Sequence, residues 1–361
     1  MDDRVRQHAE ILVDYSTEIE RGDRVIISGT AATRPLVEAL HEAIGERGGI
    51  PFVLDRNDRF TSSYLRAVDP DEIPLAEHLL EAMKSTDAYI AARGGENRFE
   101  SADVPPEALT TWNRTQRPIL EERLSTRWVA TQHPTPGAAQ SAQMSTDAYA
   151  DFVYSAVTKD WDEQRAFQEQ LVELLDDGST VKIVSGDTTD LELDIEGMIP
   201  INDAGKHNLP GGEVFTAPIP DSTSGTVLFD KPVIREGREI VDARLNFEDG
   251  VVVDYSAAKN EELLGAILDT DEGARRIGEL GIGMNRSIDR FTANMLFDEK
   301  MGDTVHLAIG RAYEANVPAD REANDSAVHV DMIVDMSEDS YIEIDGEMIQ
   351  QDGTFRFEDD W

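Results

Sequence analysis

The sequence of 361 residues contains no cysteine, so disulfides, thiolate zinc sites and cysteine nucleophiles are excluded. Any metal ion would have to be held by histidine, aspartate, glutamate, tyrosine or backbone groups. Long apolar runs are also missing, which argues against a membrane-spanning helix. The first residues, "MDDRVRQHAE", have neither the basic nor the apolar segment of a secretion signal. These absences predict a cytoplasmic protein with no membrane partner.

Positive charge is scarce. The chain has 33 lysines and arginines against 73 aspartates and glutamates, a formal net charge of −40, and only 7 of the 33 basic residues are lysine. Without a basic face we expect no nucleic-acid partner. Such an acidic surface is typical of saline cytoplasm, because salt near 1 M shortens the Debye length to about 3 Å and screens the self-repulsion. We therefore predict a halophilic protein.

Apolar residues make up 40% of the chain, which is ample for folding, and the length favours two domains. The first half alternates short apolar strands with amphipathic helices, as in "DRVIISG" (23–29), "TRPLVEALHEAIGERGG" (33–49) and "PFVL" (51–54). This βαβ rhythm predicts a parallel sheet covered by helices. The intervening "SGTAATR" has neither phosphate-loop pattern, so we interpret it as an ordinary turn.

Alternating strand patterns dominate after the turn "DDGS" near residue 176. We predict an N-terminal α/β domain over 1–176 and a strand-rich α+β domain over 177–361 that carries a catalytic metal site. Helices are expected near 258–282 and 287–296 of this second domain.

Six polar side chains of the second half stand in apolar or glycine-rich surroundings: Glu213, Glu279, His306, Tyr313, His329 and Asp331. His329 and Asp331 are two residues apart in "AVHVDMIV", so a strand would place both on one face. Each residue alone has an ordinary structural explanation. As a set of nitrogen and oxygen ligands they suit Zn²⁺, Mn²⁺ or Co²⁺, in sufficient number for two ions.

Four segments, "NLPGGEVFTAP", "ARRIGELGIGMN", "LFDEKMGDTVHLAIGRAY" and "NDSAVHVDMI", closely resemble motifs of the M29 family of metallo-aminopeptidases, the thermophilic aminopeptidase T type. They occur in the family's order, and the resemblance extends over nearly the whole chain. It implies two divalent ions on the six residues named above, peptide substrates and a homodimer. One departure is His133 in "TQHPT", where we expect an aromatic residue.

The resemblance also implies a mechanism, in which a metal-activated water releases the N-terminal residue of a peptide. Glu279 or Glu213 would take the proton of this water, and the sequence does not separate base from ligand for either. Tyr313 would act as a phenolate or as a phenol that donates to the tetrahedral oxyanion.

Two other functions stay open. His306, His329 and Asp331 alone would suit a non-haem iron dioxygenase that opens a hydroxylated pyridine ring, although such a site does not need the two glutamates and Tyr313. A metal- or peptide-binding protein without turnover is the second alternative. Of the remaining histidines, we expect His207 in a surface turn and the others solvated on helices, namely His8, His41 and His78.

Overall fold

The structure is a computed structural model that describes residues 2–95, 97, 99–235, 238–358 and 361. Its helices are α1 Asp3–Glu10, α2 Arg34–Arg47, α3 Asp58–Ala67, α4 Glu77–Lys84, α5 Pro106–Thr115, α6 Arg117–Ser125, α7 Pro136–Ser141, α8 Thr146–Val157, α9 Trp161–Asp177, α10 Glu261–Leu268 and α11 Met295–Asp298. The strands of the first half are β1 Arg24–Gly29, β2 Ile50–Asp55, β3 Ala88–Arg93 and β4 Arg127–Gln132. Those that follow are β5 Thr180–Ser185, β6 Thr189–Asp194, β7 Ile201–Asp203, β8 Asn208–Leu209, β9 Glu213–Thr216, β10 Ser224–Phe229, β11 Val233–Arg235, β12 Arg238–Ile240, β13 Ala243–Glu248, β14 Val251–Ser256, β15 Ile277–Gly283, β16 Thr304–Gly310, β17 His329–Asp335, β18 Ser340–Ile344, β19 Glu347–Gln351 and β20 Thr354–Phe355.

The chain divides into two compact units, Met1–Lys159 with Gly205–Gly211, and Asp160–Ala204 with Gly212–Trp361. The division lies one helix before the predicted boundary at 176, because α9 packs Leu171 and Leu175 into the core of the second unit. Residues 205–211 return to the first unit because β8 pairs with β4 there.

The first unit contains a parallel sheet, which among the described residues has the order β2-β1-β3-β4-β8. Val25, Ile26 and Ile27 of β1 are buried in succession, as expected of a central parallel strand covered on both faces. Helix α2 ends at Gly48, whose φ of 78° lies in the left-handed region that glycine tolerates. The predicted βαβ domain is confirmed.

The second unit is rich in antiparallel strands. Within its described residues, one sheet has the order β14-β13-β10-β6-β5-β18-β19-β20, another has the order β17-β16-β15-β9-β7, and β11 pairs with β12. Apolar residues of both larger sheets and of α9 and α10 share one core cluster. This confirms the predicted strand-rich α+β architecture. Among the described residues no helix is long and apolar enough to cross a membrane.

The predicted extent of two helices in this unit was wrong. The helix expected over 258–282 ends at Leu268, and residues Ile277–Gly283 form the fully buried strand β15. Glycines at 278, 281 and 283 disfavour a helix, and burial on both faces removes the alternation that would have revealed a strand. The helix expected over 287–296 is only the short α11, Met295–Asp298.

Candidate metal centre

Four adjacent strands of the sheet β17-β16-β15-β9-β7 place five of the six candidate residues, all except Tyr313, on one face. Across β15 and its neighbours, Glu213 pairs with Gly283 and His306 pairs with Gly281. Across β16 and β17, Asp331 pairs with Ala308, and His329 pairs with Gly310. Each of these side chains thus has a glycine or an alanine as its cross-strand neighbour on at least one side. These small residues leave room above the sheet for the longer side chains to converge.

Gly281 shows this requirement most directly. A Cβ atom at this position would lie 2.0 Å from both Cε1 and Nε2 of His306. Such a distance is far below van der Waals contact, so the imidazole can lie over β15 only because residue 281 has no side chain. Gly212, with a φ of 118°, similarly brings the backbone against Asn285 immediately before Glu213, as the sequence "PGGE" indicates.

The charged atoms converge around Glu279. Nε2 of His306 lies 3.1 Å from Oε1 of Glu279 and 3.5 Å from Oε2 of Glu213. Nε2 of His329 lies 3.2 Å from Oδ1 of Asp331 and 3.6 Å from Oε2 of Glu279. The Glu279 carboxylate therefore lies between two imidazoles, with a different oxygen toward each.

The donor set fits a divalent metal ion. Glu279, His306 and Asp331 each offer a ligand atom, and these atoms lie within 4.8 Å of one another. Oε2 of Glu213 and Oε2 of Glu279 are buried without a hydrogen-bond partner. Buried carboxylate oxygens are costly when unpaired, and a cation would compensate them. Imidazole and carboxylate groups are ligands that zinc, manganese and cobalt accept.

The pKa values show how strongly this site attracts positive charge. Burial alone would lower the pKa of His306, but the carboxylates of Glu279 and Glu213 outweigh it and raise the pKa to about 9. Asp331 similarly overcomes burial at His329 and raises its pKa to about 9. Burial raises the pKa of both Glu213 and Glu279. Protons bound to these imidazoles and carboxylates stabilise the cluster, and a metal ion would replace those protons.

Two hydrogen bonds hold the edges of the cluster in place, one at His329 and one at the backbone of Glu213. Nδ1 of His329 lies 2.8 Å from the carbonyl oxygen of Arg311. Donation from Nδ1 to this oxygen leaves the lone pair of Nε2 directed toward the carboxylates, the tautomer that metal binding requires. Gln168 of α9 donates from Nε2 to the backbone carbonyl of Glu213 at 2.8 Å, which fixes the start of β9.

Lys300 was not found by sequence reasoning. Its side chain is completely buried, and Nζ donates to Oε1 of Glu213 at 2.9 Å and contacts Glu299 as well. Asp203 lies 3.6 Å away. Burial lowers the pKa of Lys300, but these carboxylates outweigh it and the net pKa is raised well above its usual value. The lysine stands in "FDEKMGD", where its surroundings resemble an ordinary charged surface, so only the folded chain reveals its burial.

Tyr313 lies at the open side of the cluster. Its ring centroid is 4.9 Å from that of His329, and 46% of the residue is exposed. Partial burial and the charges of Glu279 and Asp331 raise its pKa, so without a cation the phenol keeps its proton. The side chains of His329 and Asp331 are 20% and 17% exposed, whereas that of His306 is 1% exposed. Access from solvent is therefore from the side of His329.

The other histidines lie in the first unit. His207 is exposed and stacks on Trp128 with ring centroids 4.8 Å apart, in keeping with the predicted surface turn. His78 is exposed and His41 partly exposed. The prediction that His8 is solvated was wrong, because this residue is fully buried beside Thr131. His133, the departure from the family pattern, is also buried.

A cluster of buried carboxylates and imidazoles on a sheet of an α/β protein defines a candidate metalloenzyme. The family described as Thermophilic metalloprotease (M29) matches residues 1–355. The chain is 27% identical over 397 aligned residues to Aminopeptidase 2 of Geobacillus stearothermophilus, covering 96% of this chain and 94% of that protein. The chain belongs to the M29 family of metalloproteases, and the prediction of this family and of a metallopeptidase is confirmed.

Two solved structures resemble the fold over its full length. Wild-type AmpT from Thermus thermophilus superposes with a TM-score of 0.85 at 24% identity, covering 98% of this chain and 99% of that one. The 2,5-dihydroxypyridine dioxygenase of Pseudomonas putida KT2440 superposes with a TM-score of 0.62 at 14% identity, with 99% of each chain covered. At these identities the likeness concerns the fold, and the chemistry has to be argued from the site.

Proposed function

We propose that this metallopeptidase is an aminopeptidase that hydrolyses the first peptide bond of its substrates with two divalent ions, zinc, cobalt or manganese. The observation that carries the proposal is the position of Glu279, whose Oε1 and Oε2 lie 3.1 Å and 3.6 Å from two different imidazoles. Glu213 and His306 stand on one side of this carboxylate, and His329 and Asp331 on the other. A carboxylate shared by two ligand sets suits a pair of ions.

When bound, such ions would lower the pKa of a water molecule and polarise the scissile carbonyl. Oε1 of Glu213 is held by Lys300, which leaves Oε2 of Glu213 directed toward His306. Either Glu279 or Glu213 takes the proton from water. Tyr313, at the exposed side, would either bind an ion as a phenolate or donate from its hydroxyl to the oxyanion that develops on the substrate.

Glutamine variants separate the two roles of the glutamates. Glu279→Gln and Glu213→Gln each keep the size of the side chain and remove its charge. A variant that retains the full metal content but loses kcat identifies the base, whereas loss of metal identifies a ligand. Tyr313→Phe removes only the hydroxyl: loss of kcat with full metal content would assign this group to the oxyanion, whereas loss of metal would assign it as a ligand.

The acidic character of the site suits substrates with a free α-ammonium group. Its accessible members include Asp331, whose carboxylate can accept this group or share it with a bound ion. An N-acetyl group removes the positive charge and the amine lone pair together. The free amino group then both binds the substrate and positions its carbonyl, so capping should reduce kcat/KM by several orders of magnitude.

The decisive experiment combines metal analysis with turnover. Chelation should abolish hydrolysis of aminoacyl-anilides, and Co²⁺, Zn²⁺ or Mn²⁺ should restore it at two ions per chain. Free peptides should lose residues one at a time from the N-terminus. Full activity with metal shown to be absent, or internal cleavage before terminal cleavage, would refute the proposal. Metal binding without any turnover would instead favour a non-catalytic binding protein.

The ring-cleaving dioxygenase is the competing enzyme. His306, His329 and Asp331 supply two histidines and one carboxylate, the set used by mononuclear non-haem iron enzymes. The carboxylates of Glu213 and Glu279 lie within 3.5 Å of His306, and a mononuclear iron site has no use for both. This observation favours the peptidase. Oxygen consumption by the Fe²⁺-loaded protein with a hydroxylated pyridine would reverse the preference.

We also propose a homodimer in a saline cytoplasm. Two observations support these predictions: the net charge of −40, and the exposure of Ile50 and Phe52 on the edge strand β2, at 59% and 60%. Exposed apolar side chains on an edge strand favour association. Light scattering of the protein and of Phe52→Lys in molar salt tests the dimer. A melting temperature that does not change with salt would exclude the halophilic adaptation.

A further inference from the structure

A cavity of about 380 Å³ lies in the first unit, at the carboxyl ends of its parallel strands. The turn after β1, at Gly29 and Thr30, and the turn after β3, at Gly94 and Gly95, form two of its walls. Thr30 Oγ1 donates to the carbonyl oxygen of Gly94 at 3.1 Å and holds the turns together. The strand order β2-β1-β3-β4 reverses between β1 and β3. This reversal is the position at which open parallel sheets bind ligands.

Arginines line this cavity, although basic residues are outnumbered 33 to 73 in the chain. Two of them, Arg56 and Arg123, form no ion pair with any carboxylate of the described residues. Arg24, at the amino end of β1, does form an ion pair, with Asp87 at 2.8 Å. Arg56 is exposed to solvent, but Arg123 is partly buried, and a partly buried guanidinium without an acidic partner among the described residues is costly unless an anion joins it.

The guanidinium group of Arg123 is held in a fixed orientation. Its Cζ lies 5.4 Å from the ring centroid of Tyr89 and 5.6 Å from that of Trp128. Its Nε is buried and has no hydrogen-bond partner. Stacking on aromatic rings orders the planar guanidinium in advance, which reduces the entropy that a ligand must overcome.

Electrostatics support the same conclusion. Burial lowers the pKa of Arg123, the side chain of Tyr89 opposes this in part, and the positive charge of Arg56 lowers the pKa further. An anion bound between the two guanidinium groups would stabilise the charged form of Arg123. Asp58 also lines the cavity, but its side chain is exposed at the surface.

We propose that this cavity binds a small molecule through an oxyanion group, either phosphate or carboxylate, that Arg56 and Arg123 hold. The volume is within the range of small-molecule sites, and guanidinium groups match the geometry of both oxyanions. Ser28, Gln132 and the glycine backbone of the two turns contribute further polar groups to the walls. The site shares no residue with the metal centre, and its test does not depend on the proposed peptidase chemistry.

Calorimetric titration of the whole protein with inorganic phosphate and with acetate tests the proposal, at constant ionic strength set by sodium chloride. Binding heat is preferred to melting because phosphate stabilises most proteins through exclusion from their surface. We expect saturable binding with a Kd of about 1 mM or tighter to at least one of the two anions. Stronger binding of phosphate identifies a phosphorylated ligand, and stronger binding of acetate identifies a carboxylate ligand.

Arg56→Gln and Arg123→Gln should each weaken this binding at least about tenfold, because each removes a charge-assisted contact. Arg24→Gln, which changes an arginine at the far end of β1, is the matched control and should bind like the wild type. Arg56 is exposed, so its variant remains informative if Arg123→Gln fails to fold. No binding beyond the chloride blank, or binding that Arg56→Gln leaves unchanged, overturns the proposal.

Discussion

Both units contain buried histidines, but the pKa values of these histidines are shifted in opposite directions. Burial lowers the pKa of His8 to about 3 and that of His133 to about 4 in the first unit. In the second unit the pKa values of His306 and His329 are both raised to about 9. The difference arises from carboxylates, which lie within 3.6 Å of both histidines of the second unit. Among the described residues, neither His8 nor His133 forms an ion pair with a carboxylate.

This contrast explains why burial alone does not identify a functional histidine. His8 is as inaccessible as His306, yet among the described residues its Nε2 lies beside the hydroxyl of Thr131, at 2.7 Å, and not beside a carboxylate. A neutral imidazole in such surroundings contributes to packing. An imidazole surrounded by several buried carboxylates destabilises the fold unless a proton or a cation joins it, and this requirement is what a metal site meets.

The largest expected effect is a difference in metal content and activity between variants of the second unit's histidines and a variant of His8. His306→Ala and His329→Ala should each lose bound metal and reduce kcat/KM at least about 10³-fold, because Lewis-acid catalysis contributes several kcal/mol to the transition state. His8→Gln should retain the metal and most of the activity. Elemental analysis of the purified variants, together with anilide hydrolysis, measures both properties.

His207→Ala is the control for this experiment, since His207 is exposed and stacks only on Trp128. It should match the wild type in metal content and turnover. Equal losses in His8, His207 and His306 variants would mean that the comparison reports general stability rather than a metal centre.

The sequence predicted those parts of the site that follow from residue spacing along a single strand. The two-residue spacing of His329 and Asp331 correctly predicted a strand that places both side chains on one face. Glu279 was recognised as a polar residue among glycines, but its strand was missed, because β15 is buried on both faces and was interpreted as helix. Gly281 and Lys300 contribute through contacts with residues 25 and 87 positions away in the chain, which no local pattern reveals.

The second prediction concerns Lys300, the buried cation of the second unit. Lys300→Met keeps the length of the side chain but leaves Glu213, Glu299 and Asp203 without their ammonium partner. We expect the free energy of unfolding to fall by about 3–5 kcal/mol, the usual cost of breaking a buried ion pair. Metal affinity should fall about 10- to 100-fold, because Glu213 loses the contact that orients it.

Lys182→Met provides the matched control in the same unit, since Lys182 forms a surface pair with Asp190 at 3.2 Å. A surface pair contributes about 0–1 kcal/mol, so this variant should unfold almost like the wild type. Denaturant titrations with and without metal measure both quantities. If the two lysine variants were equally stable, the buried carboxylates would not depend on Lys300.

The third prediction compares two glycines. Gly281→Ala would place a Cβ 2.0 Å from the His306 ring, and the displaced imidazole should cost about 1–3 kcal/mol of stability and weaken metal binding. Gly45→Ala, in helix α2 of the first unit, meets no atom within 4 Å and should stabilise the protein by about 0.5–1 kcal/mol. Thermal unfolding and metal titration of both variants check this. Unchanged metal affinity in Gly281→Ala would show that His306 does not need its present position.

The last prediction concerns the acid sensitivity of the first unit, which follows from His8. Thr131 Oγ1 donates to the carbonyl oxygen of Leu209 at 2.7 Å, so it accepts from Nε2 of His8. A second proton would have to bind at Nδ1, which is buried without a partner, beside His133 and the ring of Tyr154. The folded state therefore resists protonation to about pH 3, whereas the unfolded imidazole takes a proton near pH 6.5.

The sign of the effect follows from the number of protons bound in each state. Below about pH 6.5 the unfolded chain binds the proton and the folded chain does not, so the stability contributed by neutral His8 is complete above that pH and declines by about 1.4 kcal/mol for each pH unit of acidification. His8→Gln retains a donor toward Thr131 and removes the titration. Its free energy of unfolding should fall less steeply than that of the wild type between about pH 6 and pH 4.5, measured by urea titration in molar salt. Exposed His78→Gln should follow the wild-type curve, and parallel curves for all three proteins would show that His8 is protonated in the folded state as readily as in the unfolded one.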